Sequence, residues 1–217
     1  FLLMSLNSYS LHDLLNIFNT FIFIKPFIKH NCNIRLLSKA FRLSAAIVQI
    51  IDKNTVRCGE ETYEGENLIL CTGSETFIPP IPGVDAVNYW THRDALDSKE
   101  LPASLAIVGG GVIGMEFASF FNSLGVQVTV VEMMDEILGG MDKELSALLR
   151  AEYTKRGIKF LLSTKVVGLS QTEEGAVVSY ENAEENGSVI AEKLLMSVGR
   201  RPVAKGFGLH RCLLKDV

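Results

Sequence analysis

Between Leu105 and Glu132 the chain runs through four apolar residues, three consecutive glycines, apolar residues at every third or fourth position, and a second apolar run. The unbroken stretch Leu105 to Val108 predicts a strand covered on both faces. Ile113, Phe117, Phe120, Phe121 and Leu124 then fall at helical spacing, and Gly125 supplies a left-handed stop. Val126 to Val131 is a second strand that ends at Glu132. Farther on, Asp142 is placed to cap a helix whose inner side carries Leu145, Leu148, Leu149 and Tyr153 and whose end is Gly157. Ile158 to Leu162 supplies a third strand. Val166 to Ser170, Ala176 to Glu181 and Ser188 to Lys193 are short strands separated by Glu-Glu-Gly and Glu-Asn-Gly, an antiparallel meander, and Leu194 to Val198 returns to the sheet.

The order βαβαβ, meander, β predicts an α/β fold with a parallel sheet and an inserted antiparallel β-meander. Upstream, Ile47 to Asp52 pairs with Asn54 to Cys58, Glu61 to Glu64 is another strand, and Asn67 to Cys71 is a buried strand leading into Thr72-Gly73-Ser74. Pro79, Pro80, Pro82 and Gly83 make a stiff connection that neither a helix nor a central strand can include, so a domain boundary is expected there.

The glycine turn carries the chemistry. Gly109, Gly111 and Gly114 form G-x-G-x-x-G between a strand and a helix, the context that makes this short motif informative. Gly109 opens the tight turn, Gly111 lets the backbone approach a pyrophosphate, and Gly114 lets the helix pack closely. The first amides of the helix, at Val112 and Ile113, face an anion that the helix dipole also favours. Glu132 lies 21 residues beyond Gly111, where a carboxylate accepts hydrogen bonds from a ribose diol. The acid would repel a 2′-phosphate, and Met133, Met134, Asp135 and Glu136 bring no cation to offset it. A Rossmann-type domain that binds NAD(H) rather than NADP(H) is the expectation.

Composition adjusts this picture at the edges. A hydrophobic content of 47% is ample for a core, and a net charge of −4 argues against a nucleic-acid partner. The greasiest stretch, Leu14 to Ile28, is interrupted by Asn16, Asn19, Lys25 and Pro26, so no membrane span and no secretory signal is expected. Cys32, Cys58, Cys71 and Cys212 form no metal-like pairing with the histidines; they read as incidental thiols, no metal site is expected, and a reducing, cytoplasmic location follows. The first fifty residues contain no glycine and no glutamate, with five basic residues against Asp13 alone. Such a break within one folded unit is unusual, and the chain begins at Phe1, so residues 1–44 read either as an incomplete or mis-joined terminus or as an amphipathic helical extension around Leu11 to Phe18.

Four stretches together carry a family likeness. They are Cys71-Thr72-Gly73-Ser74 with the following Ile-Pro-Pro-Ile-Pro-Gly, Gly109 to Ser119, Val130 to Leu138 with Asp142, and Ser197-Val198-Gly199-Arg200-Arg201-Pro202. In that order they resemble the flavin-dependent pyridine nucleotide-disulfide oxidoreductases, and within them the dihydrolipoyl (lipoamide) dehydrogenase type. The resemblance implies that Gly109, Gly110, Gly111, Val112, Ile113, Gly114, Glu116, Glu132, Val166 and Gly199 serve NAD, and that Thr72, Gly73 and Ser74 pass close to FAD. It pairs Glu116 with a lysine beside the flavin, although an acid in the first turn of a helix also suits the helix dipole. Arg200 and Arg201 read as solvated or ion-paired side chains that shape a turn.

The resemblance also implies a division of the chain. Residues 1–44 are an atypical segment of unknown fold, 45–80 a β-rich remnant of the first half of an FAD-binding domain, 81–202 the NAD-binding domain, and 203–217 the start of the return to the FAD domain. The sequence departs from the family in holding no second G-x-G-x-x-G and no C-x-x-x-x-C, so no catalytic residue is assigned within it. In the complete enzymes a lipoyl-bearing dithiol passes electrons through a disulfide and FAD to NAD+. The 217 residues are expected to supply the NAD-binding part and to be inactive alone. Other two-dinucleotide flavoproteins, of the NADH oxidase or ferredoxin reductase type, and a stand-alone NAD-binding module are the alternatives.

Overall fold

The computed structural model describes residues 21–24 and 48–212. The expectations for residues 1–20 and 25–47, including the helical extension around Leu11 to Phe18, lie outside the described residues. The chain divides into two compact units, Thr76–Arg201 and the residues on either side of it.

The flanking unit is built from strands. β1 (Phe21–Ile24) is a strand that the reading of the sequence does not include. β2 (Val48–Ile50), β3 (Thr55–Cys58) and β4 (Glu61–Glu64) form an antiparallel meander, as the pattern predicts. β5 (Asn67–Leu70) lies parallel to β1, and its residues are half-buried or exposed rather than fully covered. Ile50, Val56 and Leu209 make a small core, with Tyr63, Leu68 and Phe207 packed against it. β6 (Ser74–Thr76) follows at the first crossing between the units.

The larger unit has three layers. Its middle layer is a five-stranded parallel sheet that holds β7 (Tyr89–Trp90), β8 (Ser104–Val108), β9 (Gln127–Val131), β10 (Lys159–Leu161) and β14 (Lys193–Met196) in the order β10-β9-β8-β14-β7. Three helices accompany it: α1 (His92–Asp97), α2 (Val112–Ser123) and α3 (Lys143–Lys155). β11 (Lys165–Thr172), β12 (Gly175–Glu181) and β13 (Asn186–Ala191) form the antiparallel meander, with a register shift between Val166 and Gly168. β15 (Arg200–Pro202) ends the unit. This is the Rossmann-type α/β arrangement with an inserted ribbon that the sequence predicts.

Alternation along β8 explains the layers. Leu105 and Ile107 point into a core shared with Met115, Phe117, Ala118 and Phe121 of α2. Ala106 and Val108 point into a second core shared with Leu169, Ala176 and Val178 of the meander. Neither face meets water, which is why the strand reads as continuously apolar.

The helices bury a different stripe from the one their large residues suggest. In α2 the covered residues are Gly114, Met115, Phe117, Ala118 and Phe121, while Phe120 is 54% and Leu124 47% exposed. In α3 Ser146 is the buried residue, Leu149 and Tyr153 pack beside the core, and Leu145 and Leu148 face solvent. At 3.6 residues per turn Leu148 lies about 160° around the helix from Ser146, so one face cannot hold both.

Candidate functional site: a cavity at the sheet's switch point

From β8 the chain moves outward through β9 to β10 on one side, while β14 and β7 lie on the other, so a crevice opens where β8 and β14 end. A cavity of about 810 Å³ occupies it. It is bordered by Gly109 and Gly111 after β8, Glu132 after β9, Thr164 ahead of β11, and Ser197 to Gly199 after β14.

The glycines do different things there. A Cβ on Gly109, whose φ is +107°, would lie 2.3 Å from the carbonyl oxygen of Ser197, so the exits of β8 and β14 touch backbone to backbone. A Cβ on Gly114 would lie 2.2 Å from the carbonyl oxygen of Gly109, so α2 seats directly on the turn. One on Gly110 would press on the Glu132 side chain at 3.1 to 3.2 Å. Gly111 differs: nothing stands within 4 Å of its Cβ position, and it borders the cavity. It is also the N-cap of α2. The amides that follow, at Val112 and Ile113, border the cavity too and have no acceptor within the helix. The arrangement is a cradle for an anion.

Glu132 is held in place by backbone. Its Oε2 accepts from the Gly110 amide at 2.5 Å and its Oε1 from the Met134 amide at 2.7 Å. Its own amide donates to Leu161 O at 2.8 Å, and its carbonyl accepts from the Thr164 amide at 2.9 Å. Each carboxylate oxygen keeps a second lone pair, so a clamped, half-buried carboxylate faces the cavity with acceptor capacity left for a diol.

On the other side of β8, past β14, a second polar group borders the same cavity. Thr91 and Asp94 form a capping box that starts α1 at His92. Thr76 Oγ1 stands 3.1 Å from His92 Nδ1, and one guanidinium nitrogen of Arg200 is 3.3 Å from both ring nitrogens. Partial burial holds the His92 pKa below the usual imidazole value, helped by the charges of Arg200 and Arg93 and opposed by Asp94.

Of the residues that the sequence singles out, Gly109, Gly111, Val112, Ile113, Glu132, Val166 and Gly199 come together around the cavity. Gly110 and Gly114 are buried beneath it. Glu116 is exposed, does not border the cavity, and is the fifth residue of α2, beyond the first turn. Thr72, Gly73 and Ser74 belong to the flanking unit, where Gly73 has φ +76° and its carbonyl accepts from the Val203 amide at 2.9 Å. Thr76, His92 and Thr164 border the cavity and are not picked out by motif, and Arg200, read from its motif only as a turn-shaping side chain, borders it too; their signal is position, because each lies at or close to the end of a strand. Arg200 is solvent-exposed as expected, yet it lines the cavity. Among the described residues no helix is long and apolar enough to cross a membrane, and no three His, Cys, Asp or Glu side chains are grouped to hold a metal ion.

Comparison with known proteins agrees with this geometry. A dihydrolipoamide dehydrogenase of Chaetomium thermophilum is 37% identical over 158 residues, which are 70% of this chain and 31% of that protein. A dihydrolipoyl dehydrogenase of Bacillus subtilis is 40% identical over 148 residues, 67% of this chain and 31% of that protein. The chain thus spans about a third of the length of these curated relatives. Among solved structures, the HOCl-induced flavoprotein disulfide reductase RclA from Escherichia coli superposes with a TM-score of 0.68 at 27% identity, over 78% of this chain and 39% of that one. The sequence pattern of the pyridine nucleotide-disulphide oxidoreductases matches residues 12–214, and the chain belongs to that family.

Proposed function

We propose that the unit Thr76–Arg201 is the NAD(H)-binding domain of a dihydrolipoyl dehydrogenase-type flavoprotein. The observation that carries this reading is the cradle at the switch point, where Gly111 and the first amides of α2 meet open space and Glu132 is clamped beside them. The amides of Gly111, Val112 and Ile113 hold the pyrophosphate. Glu132 accepts from the adenosine ribose hydroxyls and rejects a 2′-phosphate by charge. Gly199, with φ +124° and no atom within 4 Å of its Cβ position, leaves room for the second nucleoside. Val166 closes the side of the cavity under the meander. When bound, NAD+ supplies a carbon that accepts hydride; the chain's contribution is to bind and orient it.

FAD is the proposed donor in the whole protein, as family membership suggests, and a lipoyl-bearing dithiol the proposed substrate. The described residues of the flanking unit do not build a strand, glycine turn and helix that would cradle a second pyrophosphate, so no step is assigned to flavin within this chain. Thr72, Gly73 and Ser74 are proposed to lie near it. A reducing compartment is proposed, in keeping with the free thiols of Cys58 and Cys71.

Two measurements test the reading. Titration of the chain with NADH and NADPH should give clear preference for NADH; equal affinities would remove the role given to Glu132. Incubation with dihydrolipoamide, NAD+ and added FAD should give no NADH above the protein-free control. Sustained turnover by the 217-residue chain would overturn the division of labour.

A further inference from the structure

Among the described residues the methionines fall into two groups. Met115 and Met196 are buried in the two cores that cover the parallel sheet. Met133, Met134 and Met141 are each more than half exposed, and all stand on the loop between β9 and α3. Met133 and Met134 directly follow Glu132 and border the same cavity, whereas Met141 does not. The backbone that carries the first two is fixed. The Met134 amide donates to Glu132 Oε1 at 2.7 Å, its carbonyl accepts from the Ser163 amide at 2.8 Å, and the Leu138 amide donates to the Gly110 carbonyl at 2.8 Å. Ser163 and Leu138 hold φ of +50° and +56°, left-handed values uncommon outside glycine, so their surroundings set both anchor points. A change of polarity at Met133 or Met134 is therefore not relieved by swinging the loop away, and it falls beside the carboxylate that meets the ligand.

We infer that Met133 and Met134 are oxidation sites through which a peroxide lowers the affinity of this unit for NAD(H). This rests on the NAD(H) reading above. A sulfur lone pair attacks one oxygen of hydrogen peroxide, and the O–O bond breaks as the S–O bond forms. The hydroxide that leaves collects the proton from the transferred oxygen and departs as water, so sulfur loses two electrons and the peroxide gains them. The product is a sulfoxide, in which a polar acceptor oxygen replaces apolar surface. The hydroxyls of a ligand held at Glu132 already donate to that carboxylate. A ligand that covers the sulfoxide must therefore strip its water without returning a hydrogen bond from them, which weakens binding. Met141 is exposed to the same degree as Met134 and has the same chemistry, but it lies off the cavity and serves as the internal control.

The test treats the full chain with hydrogen peroxide, removes the reagent with catalase, and reads NADH affinity by titration and the oxidised positions by peptide mass mapping. Met133, Met134 and Met141 should gain oxygen well before Met115 and Met196, and NADH affinity should fall about fivefold. Saturating NAD+ during the treatment should slow oxidation at Met133 and Met134 and leave Met141 unprotected. Peroxide should no longer change the affinity of the double variant Met133→Leu, Met134→Leu, whatever its starting value, and should still lower that of Met141→Leu. Dithiothreitol alone should not restore binding, which excludes the exposed thiol of Cys71 as the sensor, whereas methionine sulfoxide reductases with dithiothreitol as electron source should. If the loss persists in the double variant, or if the oxidised chain binds NADH as tightly as the untreated one, the inference is overturned while the NAD(H) reading stands. If the untreated chain does not bind NADH, that reading fails and the inference falls with it.

Discussion

Gly111 and Gly114 stand three residues apart and have opposite surroundings. Open space surrounds the Cβ position of Gly111, whereas that of Gly114 lies 2.2 Å from a backbone oxygen that cannot move without the turn. Gly111→Ala should therefore cost only about 1 kcal/mol of stability, the difference between glycine and alanine at an N-cap, yet lower NADH affinity at least tenfold by placing a methyl in the cradle. Gly114→Ala should destabilise the fold by about 3 kcal/mol or more through overpacking. Urea unfolding and NADH titration of both variants separate the two effects, and equal losses of stability would show that Gly111 is also a packing glycine. The motif told these roles apart in advance, because its spacing encodes a strand-to-helix turn of known shape. The hold of the Gly110 amide on Glu132 was not legible, since nothing in a sequence says that residues 22 apart share a hydrogen bond. The contact between Arg200 and His92, 108 residues apart, was hidden for the same reason.

At the scale of elements, α3 is tied to the preceding loop by one ion pair as well as by the packing of Leu149 and Tyr153. Arg150 donates from Nε to Glu136 Oε1 at 2.7 Å and from Nη2 to Oε2 at 2.9 Å, a bidentate tie between α3 and the loop that leaves β9 past Glu132. The Glu136 side chain is 14% exposed. Hydrogen bonding from Arg150 holds its carboxyl below the usual value, against an opposing effect of burial. A depressed carboxylate contributes stability that is present above its unfolded pKa, near 4.5, and is lost as pH falls through the lower folded value. Arg150→Met should cost about 1 to 2 kcal/mol at pH 7, discounted for the solvent that reaches the guanidinium, and much less at pH 3. Denaturant melts at the two pH values decide it; a pH-independent loss would mean that Arg150 acts only through its aliphatic stem. The helices themselves were legible from Asp142, Gly125 and Gly157, which start or stop them for local reasons. Their buried faces were not, because the helices turn Gly114 and Ser146 toward the sheet and Phe120, Leu145 and Leu148 away from it, and a periodicity read from large residues does not register small ones.

Across the whole molecule, the parallel sheet is covered twice, by α2 and α3 over Leu105 and Ile107 and by the meander over Ala106 and Val108, so the larger unit has its own complete interior. One group of large side chains that it leaves uncovered lies beside α1 and α2. Leu96 is 72%, Leu101 55% and Phe120 54% exposed, and the three line one shallow hollow together with Lys99 and Glu100. Scattered apolar residues on a surface mean little, but three large ones sharing a hollow form a patch that water contacts unfavourably and a second molecule can cover. The chain should accordingly self-associate as its concentration rises. Substituting Leu96 and Phe120 together by serine should reduce that association without unfolding the protein, since replacing exposed side chains changes stability by only about 0.5 kcal/mol each. Sedimentation velocity over a hundredfold concentration range, with a thermal melt as control, reads both effects. An unchanged association in the double variant would exclude this hollow as the contact, and a large drop in melting temperature would mean that Phe120 supports Phe121, whose ring it meets edge-on at 5.3 Å, more than its own exposure suggests.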